Sequence, residues 1–265
     1  MGGSLFVYGG MRITAILSLH RLSYSYSPGG KPLFSNLSLE VHPGEFVSII
    51  GASGSGKSTL FKLMAGLLQP AEGEIRLKGE LATHRLGKVA YMPQKDLLLP
   101  WRTVEGNCLL PLELERGNKP LDPVPIRELL SRFGLEGYEQ AYPDQLSGGM
   151  RQRAAFLRTL ATGQELLLLD EPFGALDAMT KRGMHKWLLE LWGDLRKTVL
   201  FITHDLEEAI LLSDRIYLLP GNNEQDVQEI PVGLPRPRHY EQNYEAAFVK
   251  LRQDLERRLH AETAF

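Results

Sequence analysis

The chain of 265 residues contains a single cysteine, Cys108. One cysteine can form neither a disulfide within the chain nor a cysteine metal cluster, so we expect a reducing compartment. No segment approaches the ~20 consecutive apolar residues that a membrane-spanning helix needs. The first residues also lack the basic start of a secretory signal. If the protein acts at a membrane, we therefore expect another subunit to supply the membrane-spanning part.

The sequence has no strong excess of either charge, because 30 Lys and Arg residues face 32 Asp and Glu residues, for a net charge of −2. A protein whose main partner is nucleic acid usually carries a basic surface, so no nucleic-acid partner is predicted. The hydrophobic share of 43% and the charged share of 23% are ordinary for a soluble globular protein. A chain of this length can bury one core, with room for a smaller lobe.

The most informative segment is a glycine-rich loop, residues 51–59, with the pattern G-x-x-x-x-G-K-[ST]. An apolar run that reads as a buried strand precedes it, and a segment that reads as a helix follows it. Glycines let backbone N–H groups converge on phosphate oxygens, and the helix N-terminus adds its positive end. The alternative is a Gly/Ser-rich turn with a chance lysine. We predict a nucleoside triphosphate bound by Gly51, Ser53, Gly54, Ser55, Gly56, Lys57, Ser58 and Thr59.

The order of apolar and polar segments predicts an α/β protein. Residues 12–50 read as β-rich, with two short strands indicated at residues 13–19 and 23–27. Beyond them, apolar strands such as residues 166–169 and 199–203 alternate with helical segments, which is typical of a parallel sheet covered on both faces. Prolines punctuate residues 96–160, which we interpret as an inserted helical lobe.

The tail begins with a linker-like stretch, residues 233–238, that is rich in proline and arginine. A helix is predicted after it, with four apolar residues on one stripe: Phe248, Leu251, Leu255 and Leu259. Such a stripe usually docks on the protein's own core. We prefer that interpretation to a partner-binding surface.

Two further apolar strands end in polar residues. One ends at Asp170 and Glu171, and the other leads to His204. Ligands of parallel α/β sheets bind beyond the carboxyl ends of the strands, so Asp170 suits Mg²⁺ and Glu171 suits a general base. His204 can hydrogen-bond the γ-phosphate or the attacking water. The alternatives are an acidic pair at a helix start near Pro172 and an ordinary surface histidine.

A second anion site is predicted at residues 146–153, with the sequence LSGGMRQR. Ser147 can cap the helix that follows, and Gly148 and Gly149 leave its first N–H groups exposed. A simple nucleotide pocket has no use for this element. An ordinary capped helix is the equal alternative.

Together these motifs, in this order and spacing from about residue 16 to residue 219, resemble the nucleotide-binding subunit of ATP-binding cassette (ABC) transporters. The resemblance implies a P-loop NTPase (RecA-like) fold: a parallel-sheet core, an N-terminal antiparallel β subdomain and an inserted α-helical subdomain. It also implies a nucleotide-binding domain over residues 12–220, with the helical subdomain at about 96–160. Residues 221–265 would then be a C-terminal linker and helix, and residues 1–11 a loose extension.

The resemblance implies the following roles. ATP and Mg²⁺ would be the cofactors, with Ser58, Gln94 and Asp170 at the metal and Glu171, His204 and Gln94 catalytic. Tyr26 would stack on adenine, with Tyr24 a weaker candidate. Two copies would pair head to tail, so that Ser147 and Gly149 of one copy reach the γ-phosphate held by Lys57 of the other, and Asp177 would link the two sites.

Several segments resemble the importer branch for nitrate, sulfonates and taurine, with relatives that carry pyrimidine or thiamine precursors. They are Met150 in the signature, residues 98–104 with Asn107, residues 173–177 and residues 234–238. Glu105 and Gly106 depart from the usual pattern, so the contact with the membrane subunit would be individual. We therefore expect a peripheral subunit on the cytoplasmic face of the membrane, working with permease subunits and indirectly with a solute-binding protein. Alternatives are an exporter cassette, a soluble ABC ATPase acting on DNA or ribosomes, and a P-loop kinase or GTPase.

Overall fold

The computed structural model describes residues 7–8, 11–12, 14–27, 29–116, 124–195, 197–221 and 226–263. The strands are β1 (Val7–Tyr8), β2 (Met11–Arg12), β3 (Leu17–Tyr24), β4 (Phe34–Val41), β5 (Phe46–Gly51), β6 (Glu72–Leu77), β7 (Glu80–Leu81), β8 (Ala90–Met92), β9 (Leu166–Asp170), β10 (Thr198–Ile202), β11 (Arg215–Leu219) and β12 (Gln228–Pro231). The helices are α1 (Lys57–Ala65), α2 (Val104–Arg116), α3 (Val124–Arg132), α4 (Gly148–Leu160), α5 (Ala178–Leu195), α6 (Leu206–Leu212) and α7 (Ala246–Thr263). Most of the expected extension, residues 1–11, lies outside the described residues.

The core is a six-stranded sheet in the order β12-β11-β5-β10-β9-β8, parallel except for the edge strand β12. β9 and β10 are buried along their whole length, as their unbroken apolar runs predict. Ile202 pairs with Asp170 on one side and with Ile49 on the other. Because of this register, β5, β9 and β10 end at the same edge of the sheet. The segments that follow them therefore start side by side.

A second sheet, in the order β4-β3-β6-β7, is antiparallel throughout. The sequence indicated two short strands at residues 13–19 and 23–27, but the structure has one strand, β3, whose register shifts after His20. Arg21 adopts a φ of 49° there, and an irregularity of this kind breaks the alternation of apolar and polar residues. Opposite it, a Cβ on Gly73 would lie 2.3 Å from the Arg21 carbonyl oxygen, so only glycine fits.

The region from α2 to α4 is helical, as predicted, and its apolar residues Ile126, Leu130, Phe133 and Phe156 join one buried cluster. Pro111 does not separate two helices but lies inside α2. Because proline has no backbone N–H, α2 lacks one intrahelical hydrogen bond at this residue. Asn107 is fully buried in the same helix. Its side chain bonds Leu99 through both backbone groups and also donates to the Arg102 and Thr103 carbonyls. Asn107 therefore fastens the loop before α2.

The tail packs on the core. Phe248 and Leu255 of α7 are buried in a cluster with Ile210 and Leu211 of α6, and Leu251 and Leu259 lie against it. The prediction that the apolar stripe docks on the chain's own core is confirmed. Among the described residues, none of the helices combines the length and the hydrophobicity that a membrane span requires.

Candidate nucleotide-binding site

An open cleft of about 570 Å³ lies at the edge where β5, β9 and β10 end. Its lining is Tyr26, Leu33, Gly51, Ser53, Gly54, Gly56, Lys57, Ser58, Thr59, Gln94, Glu171 and His204. Of these residues, only Leu33 was not singled out in the sequence. Ser55, also predicted, is buried within the loop and does not line the cleft. Its Oγ lies 2.9 Å from the position that a Cβ on Gly51 would occupy.

The glycine-rich loop is held in a tight, left-handed path. Gly54 and Gly56 have φ values of 82° and 91°, which L-residues with side chains rarely adopt. Lys57 Nζ donates to the carbonyl oxygens of Gly51 and Ala52, at 2.9 Å each, and so closes the loop. Burial lowers the pKa of Lys57, while the nearby carboxylates of Glu171 and Asp170 act to raise it. The loop therefore holds the Lys57 side chain in the lining of the cleft.

Helix α1 begins at Lys57 without a side-chain cap on its first turn. The first N–H groups of a helix have no partners within it and carry partial positive charge. In this chain the first N–H groups of α1 lie next to the loop that follows β5. This arrangement binds phosphate in strand–loop–helix motifs. The loop, Lys57 and this helix end together make a candidate anion site.

Asp170 lies at the end of β9, where it accepts a hydrogen bond from Ser58 Oγ at 3.0 Å and from the Tyr91 hydroxyl at 3.3 Å. Asp170 is only 2% exposed, and burial raises the pKa of its carboxyl group despite the two hydrogen bonds. Desolvation also raises the pKa of Tyr91 far above its usual value, so its hydroxyl stays protonated and able to donate. A buried carboxylate and a hydroxyl thus lie together beside the anion site.

Three side chains that were predicted to be catalytic lie together: Gln94, Glu171 and His204. Gln94 Nε2 donates to Glu171 Oε2 at 2.9 Å, and His204 Nδ1 lies 3.5 Å from the same oxygen. Glu171 adopts a φ of 45°, a conformation that non-glycine residues adopt at some cost and that is often found at functional sites. No helix starts at Pro172, because residues 171–177 form turns before α5. The alternative of an acidic pair at a helix N-terminus is therefore wrong.

Tyr26 stands at the rim of the cleft with 67% of its surface exposed. Its hydroxyl lies 2.5 Å from Thr59 Oγ1. Tyr24 meets the Tyr26 ring edge-on at 5.3 Å and packs on the core beneath. Tyr26 therefore presents the aromatic surface, and Tyr24 supports it.

The second predicted anion site lies at the start of α4. Ser147 caps the helix by accepting a hydrogen bond from the Met150 N–H at 3.3 Å. A Cβ on Gly149 would come within 2.7 Å of the Thr180 side chain, and Asp177 accepts hydrogen bonds from the Thr180 hydroxyl and backbone N–H. None of residues 146–153, all of them described, lines the cleft. Within one chain, the two predicted anion sites are therefore separate.

Comparison with known proteins decides the family. A family model described as "ABC transporter" matches residues 34–174, more than half of the chain. The chain belongs to the ABC transporter family. It is 44% identical over 246 residues to the formylaminopyrimidine import ATP-binding protein ThiZ of Halalkalibacterium halodurans, covering 92% of this chain and 96% of that protein. It is also 40% identical over 215 residues to the aliphatic sulfonates import ATP-binding protein SsuB of Bacillus cereus, covering 81% and 84%.

Solved structures agree with this assignment. The dimeric, post-hydrolysis ATP-binding cassette MJ0796 bound to ADP and phosphate matches with a TM-score of 0.70 and 30% identity, covering 83% of this chain and all of that chain. The α/β fold with a P-loop NTPase parallel sheet is thereby confirmed for this ABC cassette.

Behind His204 the cassette carries a buried polar cluster that the sequence analysis missed. Lys181 of α5 lies 2.9 Å from Asp205 and 2.7 Å from Glu208, and His185 of α5 lies 3.0 Å from the same Glu208 oxygen. The Thr203 hydroxyl donates to the other Glu208 oxygen. Asp205 caps α6 directly after His204, but no spacing in the sequence connects it to Lys181.

Proposed function

We propose that this chain is the ATP-hydrolysing subunit of a membrane importer, converting ATP and water to ADP and phosphate. The observation that carries the proposal is the meeting of Gln94 and His204 at the Glu171 carboxylate, on the rim of a phosphate-binding cleft. A carboxylate placed there can act on water beside a bound γ-phosphate. The names of the relatives, import ATP-binding proteins for formylaminopyrimidine and for sulfonates, support the importer assignment.

The phosphates of ATP would lie on the loop of residues 51–59. Lys57 would donate hydrogen bonds to β- and γ-phosphate oxygens in place of the loop carbonyls that it contacts now. The first N–H groups of α1 would donate to the remaining phosphate oxygens. Tyr26, exposed at the rim, would stack on the adenine. Leu33, which also lines the cleft, extends the apolar surface beside it.

Ser58 and Asp170 fit a magnesium site, and Gln94 would join them there. In the described part of the chain no three His, Cys, Asp or Glu side chains come together as a metal site. Mg²⁺ commonly binds through one or two carboxylates together with substrate phosphates, and the adjacent Ser58 hydroxyl and Asp170 carboxylate suit that mode. Mg²⁺ bound there would offset charge on the β- and γ-phosphate oxygens.

Hydrolysis would then depend on three side chains of this chain. Glu171 would accept the proton of the attacking water as general base. Gln94 would hold one Glu171 oxygen and orient the carboxylate. His204 would hydrogen-bond the γ-phosphate or the water from the end of β10.

A complete site requires a second copy of the chain. The start of α4 offers a capped helix N-terminus with two glycines, yet it lies apart from the chain's own cleft. In a head-to-tail pair, Ser147, Gly148 and Gly149 would close over the γ-phosphate held by the other copy, and Asp177 would lie between the two sites. The dimeric structure of the related cassette supports this arrangement.

Ser147→Asp tests the head-to-tail pair of two copies. Aspartate caps a helix as well as serine does, so the substitution should leave α4 intact. The added negative charge would face the γ-phosphate of the other copy. We expect ATP turnover to fall at least about tenfold, equivalent to ~1.4 kcal/mol on the barrier, while the affinity of a single chain for a fluorescent ATP analogue stays unchanged. Ser147→Asn, which caps without the charge, is the matched control and should lose less. Wild-type turnover in Ser147→Asp would favour a P-loop enzyme that works as a single chain.

We further propose that the chain binds permease subunits at the cytoplasmic face of the membrane and takes its cargo from a solute-binding protein. The cargo would be a small anion or organic solute, of the nitrate, sulfonate or taurine type or a pyrimidine or thiamine precursor. The import functions named for the relatives support this class.

Reconstitution tests the importer assignment. The chain would be placed in proteoliposomes with the permease and solute-binding protein encoded beside it, and phosphate release would be measured with nitrate, taurine, an alkanesulfonate and a formylaminopyrimidine. We expect one class to raise ATP turnover several-fold, and only when the loaded binding protein is on the side opposite the cassette. Stimulation by a solute supplied on the cassette side, without any binding protein, would instead indicate an exporter.

A further inference from the structure

His204 lies between the end of β10 and the start of the short helix α6. Asp205 caps α6 by accepting hydrogen bonds from the N–H groups of Glu207 and Glu208, at 2.9 and 3.3 Å. His204 is the residue before that cap, and 61% of its side chain is exposed. His204 therefore depends on both the end of β10 and the position of α6 for its 3.5 Å approach to Glu171.

The C-terminal end of α6 is bound by two arginines of the tail. Arg238 Nη1 donates to the carbonyl oxygens of Ile210 at 3.0 Å and Leu211 at 3.3 Å, and also to that of Ser213. Arg236 Nη2 donates to the Leu212 carbonyl at 2.8 Å. The last carbonyls of a helix have no partners within it and carry partial negative charge. The two guanidinium groups supply both the donors and the opposite charge.

Arg238 lies in the protein interior, with only 4% of its surface exposed. Burial lowers its pKa to about 10, so the group still carries its charge at neutral pH. Placing a charged side chain in the interior costs free energy unless its hydrogen bonds are made. Three of its four hydrogen-bond partners are backbone carbonyls at the end of α6, and the fourth is the Leu234 carbonyl of the tail. Asp214 lies 3.9 Å away, so Arg238 is tied mainly to α6.

Arg236 extends the connection to the strand that leads into the phosphate loop. Its Nε donates to Asp214 Oδ1 at 2.7 Å, and Asp214 Oδ2 accepts a hydrogen bond from the Phe46 N–H at 2.9 Å. The Arg236 guanidinium also lies 4.0 Å from the ring centre of Trp192 in α5. The tail, α5, α6 and the first residue of β5 therefore meet at one place.

The opposite end of α6 is anchored from α5. Lys181 and His185 contact Glu208, and Lys181 also contacts Asp205. The helix that follows His204 is thus fixed at its start by α5 and at its end by the tail. Loss of either anchor would let α6, and His204 with it, move relative to Glu171.

We propose that Arg236 and Arg238 are positioning residues for ATP hydrolysis, which hold the C-terminal end of α6 so that His204 stays against Glu171. This inference rests on the proposed role of His204. It assigns the proline- and arginine-rich tail segment a part in turnover at the cleft, although neither arginine lines that cleft.

The test is a double-mutant cycle on the full-length chain, with kcat and KM for ATP measured for Arg238→Gln, Arg236→Gln, His204→Ala and each arginine variant combined with His204→Ala. We expect each arginine variant to lower kcat about tenfold, in keeping with the ~10²-fold cost of a misplacement of 1 Å, while KM changes less than about twofold. In the His204→Ala background the same arginine changes should lower kcat by less than about twofold, because the residue that they position is gone.

Thermal unfolding accompanies each assay. Arg238→Gln removes a buried charge and can unfold the chain, in which case Arg236→Gln, at a side chain 25% exposed, decides the question. Arg258→Gln is the matched control, since Arg258 lies on α7 and contacts Asp254 and Gln228 rather than α6. Its kcat should equal that of the wild type.

Equal losses of kcat with and without His204 would overturn the inference, as would arginine variants with wild-type kcat. If His204→Ala alone hydrolyses ATP at the wild-type rate, the proposed role of His204 is wrong and the inference falls with it. A wild-type chain that hydrolyses no ATP would overturn the proposed function itself.

Discussion

Glu171→Gln is expected to lower ATP turnover by about 10²–10⁴-fold, the usual contribution of a general base, and to leave ATP binding intact. The replacement keeps an amide oxygen that can accept the hydrogen bond from Gln94, so the local geometry persists while the proton acceptor is lost. ATP that binds without being hydrolysed should trap the head-to-tail pair. Phosphate release and gel filtration with ATP would measure both effects, with a dimer expected for the variant.

Glu165→Gln provides the control for this experiment. It makes the same chemical change just before β9, at a side chain that is 64% exposed and paired with Lys78. Its turnover should match that of the wild type, since exposed ion pairs contribute little. A Glu171→Gln chain that stays monomeric with saturating ATP would contradict the paired arrangement, and one that keeps full turnover would remove Glu171 from the chemistry.

The position of the cleft was predictable from the sequence for a physical reason. The apolar runs before Gly51, Asp170 and His204 read as buried parallel strands, and parallel strands bring their carboxyl ends to one edge. The register of β5, β9 and β10 confirms that placement. The Ser147 cap was equally visible, because N-caps depend on residues only three positions apart.

Features that depend on distant parts of the chain were not predictable. The contact between Lys181 and Glu208 joins two helices, and the contact of Arg238 with Ile210 joins α6 to the tail. Nothing in local spacing or periodicity encodes such pairs. The irregular strand at Arg21 was also missed, because a register shift erases the period-two pattern by which strands are recognised.

Lys57→Ala should weaken the binding of ATP itself. Hydrogen bonds to charged groups contribute about 1.5–3 kcal/mol, so loss of the Lys57 contacts to the phosphates predicts a decrease in affinity of about 10- to 150-fold. The truncation also removes the two hydrogen bonds to the Gly51 and Ala52 carbonyls that close the loop in the structure. Titration with a fluorescent ATP analogue would measure the change.

Lys62→Ala is the control that separates the specific effect of losing Lys57 from a general loss of positive charge near the cleft. Lys62 lies on the same helix, α1, but is exposed and does not line the cleft. Its removal should change ATP affinity by less than about twofold, because charges exposed to water are screened. If the two variants bound ATP equally well, the loop of residues 51–59 would not be the phosphate site. If only Lys57→Ala lost affinity while Glu171→Gln kept it, binding and hydrolysis would be assigned to different side chains of one cleft, as the separate contacts of Lys57 and Glu171 imply.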